Sequence, residues 1–152
     1  MIDAEVLVEF NGWKKIIKNP KELIFKSIKK FPKKYRFINK KAHISILLTN
    51  NKKIKFLNKK FRKKNKPTDI LSFPNFNEKN LKKNIKNKKF YLGDIAISHE
   101  EFVRKNKLEL KNGFLKLFIH GFLHLLNFDH KLNKDFKKMN FVEKEIFKKV
   151  KG

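Results

Sequence analysis

Four short segments of the chain either alternate polar with apolar residues or cluster apolar ones, and both patterns are typical of β-strands. These segments are Glu5–Phe10, His43–Leu48, Asp69–Phe73 and Phe90–Ser98. Pro67 and Pro74 bracket the third segment, which favours a short or edge strand because proline donates no ladder hydrogen bond. Gly93 interrupts the fourth, where it indicates a bulge or the close approach of another backbone. We therefore predict a sheet of about four strands.

Between these segments, apolar residues recur at a spacing of three or four, which predicts helices. One helix start is marked by Asn19 followed by Pro20. Ser98 with Glu101 fits a capping box at another. The predicted helices begin near Pro20, at Asn50 or Asn51, and near His99, Asn112 and Lys134. The run Asn112–Leu126 is apolar almost all round, so we expect this helix at the centre of the fold.

The remaining long segment, Asn75–Lys89, is polar and aperiodic, and we expect a mobile loop there. Because strands and helices are mixed along the chain, the predicted fold is α+β, a mixed sheet of about four strands with helices packed around it. The metal site proposed below then falls on the central buried helix and the turn after it. No repeat or linker divides the sequence, so residues 1–152 are predicted to form one domain.

The composition excludes several kinds of site. The chain has no cysteine, which removes thiolate zinc sites and disulfide frameworks and leaves His, Asp and Glu as metal ligands. Its first residues lack the basic leader of a signal peptide. Its longest apolar tract, Phe114–Phe128, falls short of the ~18 residues that a membrane span requires. We expect a cytoplasmic protein that does not enter a membrane.

The formal net charge is +26, from 40 Lys and Arg against 14 Asp and Glu. A surface of this charge attracts polyanions by releasing their counterions, which indicates nucleic acid or an anionic membrane as the partner. A/T-rich coding bias is an alternative source of the lysines, since Asn, Ile and Phe are also abundant. Only Arg36, Arg62 and Arg104 are arginines, so each of them is more informative than any one lysine.

Three of the five histidines lie in one segment, HGFLHLLNFDH, residues 120–130. His120 and His124 are separated by one helical turn plus about 40°, so both side chains leave one face of a helix. Asn127 follows where that helix has to end, and asparagine tolerates the left-handed conformation of helix ends. The chain can then bring His130 back toward the first two. Three imidazoles with an open fourth position are typical of a catalytic zinc site.

The same ligand spacing occurs in metallopeptidases, where a Glu after the first His is the general base. Gly121 occupies that position here, so the peptidase's proton-transfer residue is missing. A chance H-x-x-x-H in a helix core is the alternative to a metal site. His43 and His99 lack such partners, and for them we expect ordinary packing and hydrogen bonding. Asp129 is a candidate to orient a ligand, to cap the final helix or to bind the ion itself.

The sequence resembles the YbeY family of zinc-dependent endoribonucleases in four places. HGFLHLLNFDH resembles the family's H-G-x-L-H-L-x-G-Y-D-H, and FRKKNKPTDILSFP resembles R-x-x-[DN]-x-P-T-D-V-L-S-F-P. YLGDIAIS resembles L-G-D-I-x-I-S, and Met139 with Glu143 matches an M-x-x-x-E element. Asn127 and Phe128 stand where the family has Gly and Tyr, and neither change removes a ligand.

The resemblance implies one Zn²⁺ per chain, bound by His120, His124 and His130 in a positively charged cleft. It implies Arg62 as a functional arginine, and we assign Arg62 and His120 as the catalytic residues. The implied activity is single-strand-specific RNA cleavage in late rRNA maturation at the 16S 3′ end and in ribosome quality control. The implied partners are single-stranded RNA, rRNA, ribosomal particles and ribosome-associated proteins.

Phosphodiester cleavage places charge on the phosphate oxygens, which a divalent ion and a guanidinium stabilise. Arg62 can hold a phosphate through two parallel hydrogen bonds, as a lysine cannot. The nucleophile is either water activated by the metal or the RNA 2′-hydroxyl, with Asp69 and Asp129 as candidate proton acceptors. Candidates for base stacking are Phe73, Phe76 and Phe90. The alternatives are a non-catalytic rRNA- or ribosome-binding protein with a structural metal and, less favoured, a metallopeptidase.

Overall fold

The computed structural model describes residues 1–151, and its centre is a four-stranded mixed sheet. The strands are β1 (Ile2–Val8), β2 (Lys41–Thr49), β3 (Ile70–Pro74) and β4 (Lys89–Ser98). They lie in the order β1-β2-β4-β3, with β1, β2 and β4 parallel and β3 antiparallel to β4. The predicted edge position of the proline-bracketed strand is therefore confirmed.

Seven α-helices surround the sheet within the described residues. They are α1 (Gly12–Ile16), α2 (Pro20–Lys29), α3 (Asn51–Arg62), α4 (Glu78–Asn84), α5 (His99–Lys105), α6 (Leu110–Leu125) and α7 (Asn133–Val150). The hydrophobic pattern does not predict α1, which is only five residues long. The predicted α+β fold with helices around a mixed sheet is confirmed.

Helix α6 is the centre of the core, as its almost continuous apolar sequence predicts. Its side chains at Phe114, Phe118 and Phe122 are fully buried, and Phe118 and Phe122 pack against the ring of Phe31 beyond α2. Phe114 contacts the buried ring of Trp13. Because burial on nearly all sides fixes this helix, any polar side chain that it carries has a defined position.

The segment predicted as a mobile loop contains helix α4, so that prediction is wrong. Asn77 caps this helix by accepting a hydrogen bond from the backbone N–H of Asn80, at 2.8 Å. Leu81 is 8% exposed and packs in the main core together with Ile85. A short helix needs only one turn of buried surface, which two apolar residues at i and i+4 provide. Two such residues among polar neighbours are a weak sequence signal.

The predicted capping box at Ser98 does not form, although helix α5 begins where expected. The Ser98 hydroxyl bonds the side-chain oxygen of Asn51, and Glu101 pairs with Arg104. The Glu100 carboxylate accepts from the backbone N–H of Asn51. Contacts with α3 and within α5 therefore replace the local capping pair.

Gly93 forms the predicted irregularity in β4. Its φ is +139°, and the β2–β4 register shifts opposite it, between His43 and Ile44. A Cβ at this position would lie 2.3 Å from the carbonyl oxygen of Phe73, so both the conformation and the close approach require glycine. In residues 1–151, no helix has the length and apolarity needed to cross a bilayer.

Candidate metal centre

The C-terminal end of α6 brings the three histidines of HGFLHLLNFDH together. Asn127 has φ +67°, and its N–H bonds the carbonyl of His124 at 2.9 Å. The N–H of Phe128 bonds the carbonyl of Leu123 at 3.0 Å. This pair of bonds is the Schellman motif, which reverses the chain after a helix. The left-handed asparagine is thus confirmed, and it turns the backbone so that His130 faces the helix.

The three imidazoles form a compact cluster. One nitrogen from each of His120, His124 and His130 lies within 4.8 Å of the other two. The Nε2 atoms of His120 and His124 are 3.1 Å apart. Two ligands of a tetrahedral zinc ion are about 3.3 Å apart, given Zn–N bonds of about 2.0–2.1 Å. The cluster therefore has the spacing of a site that could hold one metal ion.

Hydrogen bonds fix which nitrogen of two rings is available. The carboxylate of Glu143 on α7 accepts from Nδ1 of His120, and the carbonyl of Phe128 accepts from Nδ1 of His124 at 2.9 Å. Each Nδ1 must donate, so each Nε2 carries a lone pair when its ring is neutral. Two lone pairs at 3.1 Å repel each other, and a cation between them removes the repulsion. The donor set therefore fits a metal ion.

The surroundings keep His124 neutral. Burial lowers the pKa of the His124 imidazole below its usual range, and the neighbouring rings of His120 and His130 lower it further. Metal ligands must be deprotonated before they bind. His124 is thus in the ligand form at neutral pH.

The histidines line a cleft of about 630 Å³ at the β3 edge of the sheet. The same cleft is also lined by Arg62, at the end of α3, together with Lys64 and Lys66. The Arg62 guanidinium donates to the carbonyl of Ser72 on β3 at 2.5 Å and remains exposed. Besides the histidines, four cationic side chains and two carboxylates line this cleft. They are Arg62, Lys64, Lys66 and Lys131, with Asp69 and Asp129.

Comparison with known proteins identifies the chain's relatives. The family model described as Endoribonuclease YbeY matches residues 8–151. The Endoribonuclease YbeY of Pelagibacter ubique (strain HTCC1062) is 52% identical over 99% of this chain and 97% of that protein. The chain belongs to the YbeY endoribonuclease family. Another YbeY relative, from Ehrlichia canis (strain Jake), is 34% identical over 96% of this chain and 92% of that protein.

A solved structure agrees with the fold. The solution structure of TM1509 from Thermotoga maritima is similar with a TM-score of 0.59 and 29% identity, covering 97% of this chain and 89% of that one. The resemblance to the YbeY family drawn from four sequence motifs is confirmed. Two of those motifs, around Arg62 and around the histidines, line one cleft.

Gly121, the glycine of the family signature, packs against the sheet. A Cβ there would lie 2.7 Å from Cδ1 of Ile70 and 3.2 Å from Ile95. Its carbonyl accepts a hydrogen bond from the Ser72 hydroxyl at 3.2 Å. A glutamate at this position would have to displace the ends of the Ile70 and Ile95 side chains. This crowding adds to the sequence argument against the metallopeptidase alternative.

Other residues singled out in the sequence have more ordinary surroundings. His43 pairs with Asp3 at 3.1 Å on the sheet, and His99 packs against the rings of Phe10 and Trp13. Both lie outside the histidine cluster, as expected. Phe90 is 6% exposed and buried in the core, so its candidacy for base stacking is wrong.

The two candidate proton acceptors, Asp69 and Asp129, both line the cleft. Asp69 is 3.3 Å from the Lys105 ammonium. Asp129 accepts from the backbone N–H of His130 at 2.7 Å, so it holds the turn that carries this histidine. Neither contact involves Nε2 of a histidine. Sequence reasoning did not predict the contact of Glu143 with His120. The match to M-x-x-x-E is the signal that points to Glu143.

Proposed function

We propose that this protein is a metal-dependent endoribonuclease that cleaves single-stranded RNA. The observation that carries the proposal is a cluster of three histidine nitrogens within 4.8 Å that shares one basic cleft with Arg62, in a chain of the YbeY endoribonuclease family. His120, His124 and His130 are the proposed ligands of one Zn²⁺. Arg62 and His120 are the proposed catalytic residues, within one domain of residues 1–152.

A zinc ion in this site would supply Lewis-acid stabilisation for the charge that develops on the phosphate during cleavage. The chain's own residues supply the rest. Glu143 and the Phe128 carbonyl hold the rings of His120 and His124 in one tautomer. Arg62 is exposed in the same cleft, and its planar guanidinium can take two phosphate oxygens at once. The proposed mechanism therefore uses two positive centres, the metal ion and Arg62, on one phosphate.

The basic surface agrees with a ribosomal RNA substrate. A net charge of +26 favours long polyanions, and the exposed side chains of Lys64 and Lys66 line the cleft. We propose that the enzyme acts in the cytoplasm on ribosomal particles and matures the 3′ end of 16S rRNA. In cells depleted of the protein, sequencing of 16S 3′ ends should then show extended precursors, and normal ends would contradict this role.

The first experiment measures metal content and cleavage in the same samples. The protein is purified without a histidine tag, and single-stranded RNA cleavage is assayed for the wild type, His124→Ala and His43→Ala. We expect about one zinc per chain in the wild type, and its loss in His124→Ala together with cleavage that is at least about 100-fold slower. His43→Ala, a matched histidine outside the cluster, should retain both.

The outcomes separate the proposal from its alternatives. Cleavage at the wild-type rate in a folded His124→Ala protein contradicts a role of the cluster in catalysis. Zinc in the wild type without any cleavage supports a non-catalytic RNA-binding protein with a structural metal. The product ends distinguish the nucleophile, because attack by the RNA 2′-hydroxyl leaves a cyclic phosphate and attack by water does not.

A further inference from the structure

Helix α3 exposes two phenylalanine rings, although large apolar side chains are usually buried. Phe56 is 55% exposed and Phe61 is 57% exposed. The ammonium of Lys60 lies between them, 5.8 Å from the centroid of Phe56 and 5.3 Å from that of Phe61. The ammonium of Lys53 also lies 5.8 Å from the centroid of Phe56. Rings and cations thus alternate in a chain of contacts from Lys53 to Phe61.

This row continues to the catalytic cleft. The rings of Phe61 and Phe73 are 5.5 Å apart and meet edge to face. The guanidinium carbon of Arg62 lies 5.7 Å from the Phe73 centroid, and Arg62 lines the cleft that contains the histidines. Each neighbour in the row is therefore in contact range of the next. The α3 ladder consists of Arg62, Phe73, Phe61, Lys60, Phe56 and Lys53.

The charged side chains of the segment that carries the ladder are all basic. Residues 51–66 contain eight lysines, one arginine and no acid, and no acid occurs between Glu22 and Asp69. Asp94 borders the ladder on the side of the sheet, where it lines an apolar groove with Phe61 and Phe73. A polyanion is attracted along the helix and repelled from the sheet, so it has a defined path.

Other exposed phenylalanines lack this combination. Phe136 and Phe141 on α7 share their helix with Asp135, Glu143 and Glu145. Phe25 on α2 is 52% exposed and lies 4.4 Å from the Lys29 ammonium. Phe25 lines a pocket with Asp3 and Glu22 instead of the histidine cleft. It therefore offers a matched ring and cation outside the proposed path.

We propose that the α3 ladder is a binding track on which single-stranded RNA next to the cleaved bond stacks its bases. Aromatic rings bind the faces of any base, and interleaved cations bind the phosphates between them, so such a track is tolerant of sequence. Bases paired in a duplex have no free faces, which makes the track selective for single strands. The inference rests on RNA as the substrate, and it extends the site from the cleaved phosphate to the nucleotides beside it.

The test measures RNA binding to the full chain after zinc is removed with a chelator, so that no cleavage interferes. The probes are fluorescein-labelled oligouridylates of about 15 and about 4 nucleotides, followed by fluorescence anisotropy. Phe56→Leu keeps an apolar side chain but removes the ring, and Phe25→Leu is the matched control. We expect Phe56→Leu to weaken binding of the longer RNA about tenfold and to leave the shorter RNA unchanged. Phe25→Leu should leave both unchanged.

The charged part of the ladder has its own readout. Lys60→Gln should lower the slope of log Kd against log salt by about 0.7, the contribution of one phosphate contact in single-stranded nucleic acid. Lys29→Gln is the control and should leave the slope as it is. Thermal melting of each variant confirms that the fold is retained.

Equal losses in Phe56→Leu and Phe25→Leu, or no loss in either, overturn the track. So does an equal effect of Phe56→Leu on single-stranded RNA and on duplex RNA of the same length. These measurements need neither zinc nor cleavage. Failure of the track therefore leaves the proposed metal-dependent activity standing, and failure of that activity leaves the binding result readable.

Discussion

The two sides of the cleft hold their functional groups in different ways. The histidine side, His120 and His124, belongs to a helix with nine buried residues, and both rings have a hydrogen-bond partner for their second nitrogen. The basic side, Arg62 with Lys64 and Lys66, is exposed. Arg62 has one hydrogen bond to the protein, to the Ser72 carbonyl.

This difference matches what the proposed function requires of each side. A metal ion requires ligands placed within a fraction of an ångström, which only packed elements and outer hydrogen bonds provide. A flexible, charged polymer is bound by cations that can follow it, and exposed side chains on a helix end are sufficient. Substitutions on the histidine side should therefore act on the metal, and substitutions on the basic side should act on RNA without affecting the metal.

The largest effect is expected at Glu143, which holds a proposed metal ligand but is not itself one. Glu143→Ala removes the carboxylate that accepts from Nδ1 of His120, so we expect zinc affinity to fall about 10- to 100-fold. Competition with a chromogenic chelator measures this affinity. Glu145→Ala is the control, because Glu145 is exposed on the same helix. Equal zinc affinities for the two variants would show that the position of His120 is set by α6 alone.

A smaller effect on a different quantity is expected on the basic side. Arg62→Lys keeps the charge but loses the planar pair of donors, and we expect cleavage to slow about tenfold while zinc per chain stays the same. Arg104→Lys serves as the control, because Arg104 pairs with Glu101 on α5. The measurements are metal content and single-turnover cleavage rate. Loss of zinc in Arg62→Lys would contradict the separation of the two sides.

The parts predicted from sequence are those encoded locally. The one-turn spacing of His120 and His124 and the left-handed Asn127 lie within eleven residues, and the structure has both. The contact of Glu143 with His120 spans 23 residues and depends on how α7 packs against α6, which no periodicity encodes. The capping box at Ser98 fails for the same reason, since a tertiary partner, Asn51, takes the hydroxyl.

The failure at α4 has another physical cause. Only Leu81, within α4, and Ile85, just after it, pack against the core. The surrounding lysines and asparagines carry no periodic signal. Packing of one turn against the core stabilises a helix that local propensity does not predict. On the basic side the sequence shows the charge but not its arrangement, because the ladder from Arg62 to Lys53 passes through Phe73 of another element.

The smallest effect is expected at Asn127, which links the turn before His130 to the chain just after β3. Its side-chain amide donates to the carbonyl of Phe76, just after β3, at 3.0 Å, and its φ of +67° turns the chain toward His130. Asn127→Ala should lower the free energy of unfolding by about 1–2 kcal/mol, because a Cβ without a compensating polar group strains the left-handed conformation. Asn127→Gly relieves that strain and loses only the amide contact.

Urea unfolding of the metal-free proteins measures the difference between these two variants. If the turn is the source of the cost, Asn127→Gly is more stable than Asn127→Ala, and zinc affinity follows the same order because His130 depends on the turn. If both variants lose the same stability, the bond to Phe76 is the source instead. Zinc affinity would then stay equal in the two, and the histidine side would depend on its contact with the β3 edge more than on its own backbone.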